Sequence, residues 1–491
     1  MISLTSKLTL IFTLISFSSC YTNTNNNEIN VLPKKPNILF IMTDDQGAWT
    51  PGYRNFKGAH TPILDTLRTQ SVDFTNAMVT TPVCSPSRAT LLTGLYACEH
   101  GITDYIVNTD SNTLGLNNQL QSWPRLLQQA GYATGLIGKW HLGHNNSQHH
   151  PSKYGYDEFM GFLRGGHTPK NPTLEKNGIT KKYEGLMCDI LTDNAIEFIQ
   201  KHSEHPFALS VHYRSPHTVY LPVADEDWAP HQNGGHYVPE YPQMDPRIAA
   251  KKMAEYCAAV TIVDRNVGRI LKELENKKIS DKTIVVFTSD HGYNRGHHGV
   301  WSKGNSVWMV KKTKKWPHIS PKWRPNLWDT SLKVPLLIKW PGVVKENSTN
   351  TKTVDFTDFF PSICRWAGVA LPKTFVQRGQ DITPLLIGQE VDWNNEMYSE
   401  YDQNHGDTEA WMRSYRTAEW KVMIDFRNSG RGDLYDLKKD PDEKNNLYHS
   451  KNSKHQKIIN DYREIIIKKM KDLKDPKLQS INVGNAPETQ K

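Results

Sequence analysis

The sequence predicts an α/β protein in which helices cover both faces of a large, mainly parallel sheet. The first observation is a set of continuous apolar runs, typical of strands buried on both faces, at residues 37–42, 133–138, 207–211 and 283–287. The second is helical periodicity between these runs, as at residues 189–202 and 248–277, because alternating strands and helices favour a parallel sheet. Third, each run stops at a cluster of polar residues, and ligands bind such sheets beyond the carboxyl ends of their strands.

The composition excludes several classes of protein. The chain has 491 residues, of which 37% are hydrophobic and 10% aromatic, too many for a disordered chain. Six cysteines in this length do not make a disulfide scaffold. The only long apolar stretch is at the N-terminus, so a multi-span membrane protein is excluded. The net charge of +8 is compatible with nucleic acid, a membrane surface or an acidic substrate.

Residues 1–19 are typical of a signal peptide. Lys7 precedes an apolar run at residues 8–15 that is too short to span a bilayer. Small residues directly before Cys20 resemble a bacterial lipoprotein cleavage site, which predicts a lipid on Cys20; simple secretion is the alternative. Residues 20–31 are predicted to form a flexible polar tether. We therefore expect an exported protein that is periplasmic or lipid-anchored to the outer membrane, with the cell surface as a further option.

Two domains are predicted after the tether. Residues 32–386 hold the large α/β domain, and residues 387–475 form a C-terminal subdomain. Within the subdomain, short strand-like stretches predict a small antiparallel sheet, at residues 396–401, 411–417 and 420–426. An amphipathic helix over residues 454–473 is expected to pack on that sheet. Residues 476–491 are expected to be a disordered tail.

Acidic residues follow the first and last of the apolar runs. Asp44 and Asp45 come after residues 37–42, and Asp290 and His291 come after residues 283–287. Either pair alone could be an ordinary turn or a helix cap. Together they bring three carboxylates to one edge of the sheet, where repulsion is unfavourable without a cation. Clustered carboxylates suit a hard divalent ion such as Ca²⁺, with His291 as the unusual ligand.

The segment from residue 83 to residue 94 carries the most specific signal. Pro86 suits the first turn of a helix, and Leu91 and Leu92 supply an apolar helix face. Cys84 would therefore lie at a helix N-terminus, which is a natural site for anions. One interpretation is a reactive thiolate activated by the helix dipole and Arg88. The other is a buried cysteine that only packs at the start of a helix.

The pattern Cys-X-Pro-Ser-Arg at residues 84–88, followed by Thr93-Gly94, resembles the signature of the type I, formylglycine-dependent sulfatases of the alkaline-phosphatase-like superfamily. Further motifs similar to the family's occur in the family's order, at residues 44–47 (DDQG), 138–143 (GKWHLG), 215–217 (SPH), 289–292 (SDHG) and 298–304 (HGVWSKG). The resemblance covers residues from about 37 to about 447. It implies an alkaline-phosphatase-like fold, a sulfuric ester hydrolase, and a maturing enzyme that converts Cys84 to formylglycine.

The resemblance also implies a set of site residues. It assigns binding of one Ca²⁺ ion to Asp44, Asp45, Cys84, Asp290 and His291. It assigns catalysis to Cys84, Arg88, Lys139, His141, His217 and Lys303. Arg88 would stabilise the formylglycine hydrate, and Lys139, His217 and Lys303 would hold the sulfate oxygens. His141 would assist the regeneration of the aldehyde.

A basic insertion follows Lys303 and is the main clue to the substrate. It is either a solvated loop or a surface that binds a polyanion. With a second loop, it supplies the candidate substrate-binding residues Arg164, His167, Lys311, Lys312, Trp316, Trp323 and Arg324. The resemblance favours a sulfated algal polysaccharide or its oligosaccharides, ulvan-like or galactan/carrageenan-like, and no nucleic acid. The alternatives are a phosphate or phosphonate ester hydrolase on the same scaffold and a non-catalytic glycan-binding lipoprotein.

Overall fold

A computed structural model describes residues 35–107, 114–144, 148–310 and 316–481. The predicted signal peptide, the tether with Cys20, and Lys311 and Lys312 of the basic insertion lie outside these residues. Across the described ranges, no helix combines the length and the apolar character needed to cross a membrane.

The described residues form sixteen strands and eleven α-helices. The strands are β1 Asn37–Thr43, β2 Val72–Met78, β3 Ala133–Lys139, β4 Glu158–Phe162, β5 Thr173–Lys176, β6 Ile179–Lys182, β7 Phe207–His212, β8 Thr283–Ser289, β9 Asn305–Val307, β10 Trp323–Pro325, β11 Leu336–Lys339, β12 Ser348–Asp355, β13 Met397–His405, β14 Thr408–Arg416, β15 Trp420–Asp425 and β16 Gly432–Asp436. The helices are α1 Pro62–Thr69, α2 Cys84–Thr93, α3 Ala97–His100, α4 Trp123–Gln129, α5 Met187–His202, α6 Asp225–Trp228, α7 Pro246–Asn276, α8 Asp329–Leu332, α9 Phe359–Trp366, α10 Thr383–Leu386 and α11 Ser453–Asp472.

Ten strands form the large sheet in the order β12-β2-β11-β8-β1-β7-β3-β4-β5-β6. The central neighbours β8, β1, β7, β3 and β4 all pair in parallel. Antiparallel pairing is confined to β11 and to the β4–β5–β6 edge. The predicted fold class, a large and mainly parallel sheet covered by helices with a smaller antiparallel sheet, is confirmed.

Adjacent residues of β1 show why the strand is apolar on both sides. Leu39 belongs to a core cluster that includes side chains of α1, α5 and α7 on one face of the sheet. The ring of Phe40 lies 6.4 Å from that of Trp123 in α4 and 5.6 Å from that of Phe359 in α9, on the other face. Successive strand side chains point to opposite faces, so a strand covered twice must be apolar at consecutive positions.

The C-terminal residues form a four-stranded antiparallel sheet, β13 to β16, with α11 packed on it. Three of these strands match the predicted stretches, and β16 has no counterpart among them. Ile459, Ile466 and Met470 of α11 are buried against the sheet. Ile465, one helical position away, is 38% exposed.

The prediction of a disordered tail from residue 476 is wrong for its first residues. Pro476–Ser480 forms a 3-10 helix whose first turn is capped by the Asp475 side chain. Leu478 and Ile481 pack on the hydrophobic cluster between α11 and the C-terminal sheet. The Asp475 carboxylate also lies 2.7 Å from the Arg413 guanidinium, which ties the segment to β14. Residues 482–491 lie outside the described part of the chain.

Candidate active site

Four neighbouring parallel strands bring their carboxyl ends to one place. Asp44 and Asp45 follow β1, and Asp290 and His291 follow β8. Lys139 is the last residue of β3, and His217 lies in the segment after β7. These strands are adjacent in the order β8-β1-β7-β3, so residues far apart in sequence meet at one edge of the sheet.

Cys84 reaches the same edge as the first residue of α2. Gly94 caps the carboxyl end of the helix, and its φ of +70° suits a residue without a Cβ atom. Arg88, one turn along, donates from Nε to Asp290 Oδ2 at 2.9 Å, and the Ser87 hydroxyl bonds to the Asp290 carbonyl. Every residue of α2 is buried. These contacts lock the helix start, and therefore the Cys84 side chain, onto the carboxylate cluster.

Charged groups surround the Cys84 sulfur atom. Lys303 Nζ lies 3.0 Å from Sγ, His291 Nε2 lies 3.4 Å away, and Asp44 Oδ1 lies 3.6 Å away. Burial opposes ionisation of the thiol, but the ammonium groups of Lys139 and Lys303 outweigh it and lower the pKa of Cys84 to about 5. The site is therefore built to hold negative charge at this position.

The carboxylates form a compact donor set beside Cys84. One group of candidate ligand atoms within 4.8 Å of one another comes from Asp44, Asp45, Cys84 and His217, and a second comes from Asp44, Cys84, Asp290 and His291. His291 Nε2 lies 3.3 Å from both Asp45 Oδ1 and Asp290 Oδ1. Three buried carboxylates with a histidine offer mainly oxygen donors, and this donor chemistry fits a hard divalent cation.

Two lysines pair with the carboxylates. Lys139 Nζ is 2.7 Å from Asp44 Oδ2, and Lys303 Nζ is 2.5 Å from Asp45 Oδ1. Burial raises the pKa of Asp44, but the charges led by Lys139 outweigh it and hold that pKa well below its usual range. Burial raises the pKa of Asp290 to about 6 although the charge of His291 opposes it. Lys139 thus keeps Asp44 ionised, whereas the pKa of Asp290 stays raised by burial.

His141 adopts an uncommon backbone conformation next to the cluster. Its φ is +63°, and that of Asp45 is +72°; both lie in the left-handed region that residues other than glycine seldom occupy. His141 Nε2 lies 2.9 Å from the Ile106 carbonyl oxygen. A Cβ atom at Gly165 would lie 2.4 Å from His141 Cε1. Residue 165 must therefore be glycine for the imidazole to sit where it does.

A cavity of about 720 Å³ opens over these residues. Six of the residues singled out from the sequence line it: Asp45, Cys84, His141, His217, Lys303 and Trp323. Trp323 reaches it from β10, which pairs antiparallel with β9 near the two ends of the basic insertion. Backbone pairing thus holds these described ends of the insertion beside the cavity.

Several predicted substrate-binding residues are absent from the described lining of this cavity. Arg324 points to the C-terminal sheet, with its guanidinium 4.9 Å from the Trp328 ring and 3.6 Å from Asp433 Oδ1. His167 Nε2 bonds to the Thr173 carbonyl at 2.8 Å. Trp316 forms a β-bridge with Ile319, and Arg164 is exposed beside Gly165. These residues lie close in sequence to residues that line the cavity, but their own side chains are not part of its lining.

Other cavity-lining residues were missed by the sequence analysis: Tyr105, Lys252, Glu255, Tyr293, Arg295 and Trp301. They come from the loop after α3, from the segment after β8 and from α7. The Tyr220 and Tyr293 hydroxyls are 2.8 Å apart, and the Tyr293 ring stacks on Tyr256 of α7 at 5.1 Å. Trp301 lies within the motif at residues 298–304, but no motif marks the others as cavity residues.

The site places a candidate nucleophile, Cys84, beside two lysines at the carboxyl edge of a parallel sheet. This arrangement is typical of hydrolases that cleave esters of tetrahedral anions. A family model described as Sulfatase matches residues 36–369, more than half of the chain. A second, described as N-sulphoglucosamine sulphohydrolase, C-terminal, matches residues 324–472. The chain belongs to the sulfatase family and is a sulfuric ester hydrolase.

Known proteins resemble the chain over most of its length. An N-acetylglucosamine-6-O-sulfatase of Bacteroides thetaiotaomicron is 26% identical, over 95% of this chain and 91% of its own. An ulvan-active sulfatase of Formosa agariphila is 29% identical, over 77% of this chain and 70% of its own. The solved structure of Ps i-CgsB in complex with k-i-k-neocarrahexaose aligns with a TM-score of 0.71 and 26% identity, covering 93% of this chain and 96% of that one.

Proposed function

We propose that the protein hydrolyses sulfate esters of a carbohydrate, a sulfated algal polysaccharide of the ulvan or galactan/carrageenan type or its oligosaccharides. The observation that carries this proposal is the cavity over Cys84, which combines cations for a sulfate with aromatic side chains for a sugar face. Lys303, Trp301 and Trp323 all line the cavity. Aromatic walls with a few convergent polar groups are typical of sites for small organic ligands. The glycan-active relatives support the same substrate class.

The proposed nucleophile is the hydrate of a formylglycine made from Cys84 by a maturing enzyme. Arg88, fixed by its 2.9 Å bond to Asp290, would stabilise the hydrate. Lys139, His217 and Lys303 would bind the sulfate oxygens, where negative charge spreads during transfer, and so lower the barrier. His217 or Lys303 would donate a proton to the leaving sugar alcohol.

His141 is suited to act as a base after sulfate transfer. Burial and the nearby Lys139 ammonium lower the pKa of His141 well below its usual range, so the ring is neutral at pH 7. Its Nδ1 is buried without a hydrogen-bond partner among the described residues. A neutral imidazole with a free nitrogen can accept the proton of the remaining hydroxyl group, which expels sulfate and restores the aldehyde.

We propose that Asp44, Asp45, Asp290 and His291, with the group derived from Cys84, hold one Ca²⁺ ion. When bound, the ion would supply positive charge for the sulfate oxygens and the nucleophile. The family commonly pairs formylglycine with a metal ion, and the converging carboxylates support the assignment.

The remaining proposal concerns the export of the protein. Cleavage before Cys20 and lipidation of that residue would anchor the protein to the outer membrane. Simple secretion would instead leave it in the periplasm. Growth of the native host with a labelled fatty acid, followed by isolation of the mature protein, tests the anchor. An unlabelled mature protein would exclude the lipid and leave secretion.

Sulfate release from a glycan panel tests the proposed function. The full chain, co-expressed with a formylglycine-generating enzyme, is incubated with ulvan, carrageenans and sulfated hexosamines, and free sulfate is measured by ion chromatography. Release by the wild type and none by Cys84→Ala is expected. Comparison of sulfate and phosphate esters of one alcohol decides between sulfatase and the phosphate or phosphonate alternative. The absence of sulfate release from every glycan, with activity on a small aryl sulfate, would contradict the carbohydrate assignment.

A further inference from the structure

Arg295 is a buried guanidinium on the wall of the catalytic cavity. It is 3% exposed and lines the same space as Cys84 and Lys303. It lies in the loop after β8 with a φ of +41°, in the left-handed region. Its Nε donates to the Lys252 carbonyl at 3.3 Å, but its Nη2 is buried and finds no hydrogen-bond acceptor in the described part of the chain. A buried charged donor without a partner is unfavourable, so its retention at a ligand cavity points to a ligand.

Aromatic rings hold the Arg295 side chain in place. Its Cζ lies 4.7 Å from the Trp301 ring centroid and 5.5 Å from that of Tyr220. The Tyr220 hydroxyl is in turn fixed by Tyr293. Cation–π contacts orient a guanidinium but do not neutralise its charge, and they leave its N–H edge able to donate to an oxyanion.

The charges around the cavity do not balance without a ligand. Lys303 pairs with Asp45 at 2.5 Å, and Lys252 pairs with Glu255 at 2.7 Å. Arg295 forms no ion pair with any residue that the structure describes. Of these three cavity-lining cations, it is therefore the one whose charge is left for a bound anion.

We propose that Arg295 binds a second anionic group of the substrate, a carboxylate or a further sulfate, while the scissile sulfate lies at Cys84. The inference rests on the proposed function, because it names the substrate class of the same site: a glycan unit that carries at least two anionic groups. A guanidinium donates parallel N–H bonds that match either oxyanion. Arg295 is then a specificity-determining residue, because it separates substrates by their second charge.

Arg295→Met tests the proposal, because methionine keeps a long apolar stem between Trp301 and Tyr220 and removes the charge. The kcat/KM of sulfate release is measured on two matched pairs of substrates. One pair, κ- and ι-carrageenan tetrasaccharides, differs in the number of sulfates. The other pair is a sulfated ulvan disaccharide and the same sugar with its uronate reduced, so it differs in the carboxylate. We expect the wild type to prefer the doubly charged member. The variant should lower that preference roughly 10–100-fold, the loss expected for a charged hydrogen bond. The pair that responds identifies the second anion as sulfate or carboxylate.

Two further measurements separate specificity from folding and from the proposed function. The unfolding midpoint of Arg295→Met should equal or exceed that of the wild type, because the variant removes an uncompensated buried charge. Arg427→Met, at a half-buried ion pair with Glu409, should leave the preference unchanged. An unchanged preference in Arg295→Met would overturn the inference. If the wild type hydrolyses no glycan, the proposed function fails. Calorimetry then measures the binding of the same pairs to Cys84→Ala, with and without Arg295→Met. Equal affinities of the two variants would overturn the inference.

Discussion

Lys139 Nζ and Asp44 Oδ2 lie 2.7 Å apart, and both side chains are completely buried. One residue ends β3 and the other follows β1, so this ion pair joins two strands that are separated by β7. Removing one partner of a buried ion pair leaves the other charge without compensation in a low-dielectric interior. The pair therefore couples the stability of the sheet edge to the chemistry at Cys84.

Lys139→Ala should lower both stability and activity. The free energy of unfolding should fall by about 3–5 kcal/mol, and kcat should fall by about 10²-fold or more because a cation at the sulfate is lost. Urea unfolding and sulfate release measure the two effects. Lys176→Ala, which breaks an exposed pair with Glu197, should cost less than about 1 kcal/mol. Equal stability losses in the two variants would contradict the assigned role of the buried pair.

Protein made without a maturing enzyme should carry an unusually acidic thiol. Because Lys139 and Lys303 outweigh burial and lower the pKa of Cys84 to about 5, its thiolate should already predominate at neutral pH. The rate of its alkylation by iodoacetamide should thus be near its plateau at pH 7. Burial raises the pKa of Cys257 to about 12, so that cysteine is the internal control.

Peptide mass spectrometry after timed alkylation gives both rates. Lys303→Met removes the nearest ammonium and should move the Cys84 alkylation midpoint to higher pH. A midpoint near the ordinary thiol pKa in the parent protein would show that the lysines do not stabilise the thiolate. After co-expression with a formylglycine-generating enzyme, the same peptide should instead carry an aldehyde.

Removal of divalent ions should inactivate and destabilise the protein. A ligand that binds only the folded state stabilises it in proportion to the logarithm of its concentration. EGTA should therefore lower Tm and abolish sulfate release, and added Ca²⁺ should restore both. In Asp290→Asn the Tm should respond less to Ca²⁺, whereas the exposed Asp281→Asn should respond like the wild type. A Tm that is independent of Ca²⁺ would contradict the proposed metal site.

A single added methyl group should disturb His141. In Gly165→Ala the new Cβ would lie 2.4 Å from His141 Cε1, so the imidazole must move away from the Ile106 carbonyl. We expect kcat to fall about 10²-fold with little change in Tm, as for displacement of a positioned base. Gly166→Ala is the matched control, since nothing lies within 4 Å of its Cβ, and it should lose much less activity. Comparable losses in both variants would contradict the positioning argument.

Arg413 of β14 should be required for the stability of the C-terminal sheet. Its guanidinium is buried and lies 2.7 Å from both Asp402 Oδ1 and Asp475 Oδ2. Arg413→Ala would leave buried carboxylates unpaired and should cost about 3–5 kcal/mol. Arg427→Ala, at a pair that solvent still reaches, should cost less, about 1 kcal/mol. Chemical denaturation of the two variants measures the difference, and similar costs would show that the buried network is not stabilising.

The sequence alone determined the fold class and the residues at the strand ends. Asp44, Lys139 and Asp290 each adjoin an apolar run that can be read locally, and parallel strands must place such residues at one edge. Cys84 was found for a similar reason, since its helix start has its own local signature.

Only the tertiary structure decided what surrounds the cavity. Arg295 and Lys252 come from a loop and a helix with no local pattern that marks them, and they meet because α7 packs beside the loop after β8. Arg324 is adjacent in sequence to Trp323, yet only Trp323 lines the cavity, because successive residues of β10 point in opposite directions. Motifs follow from local chemistry, whereas the direction of a side chain in a loop depends on the packing of the whole chain.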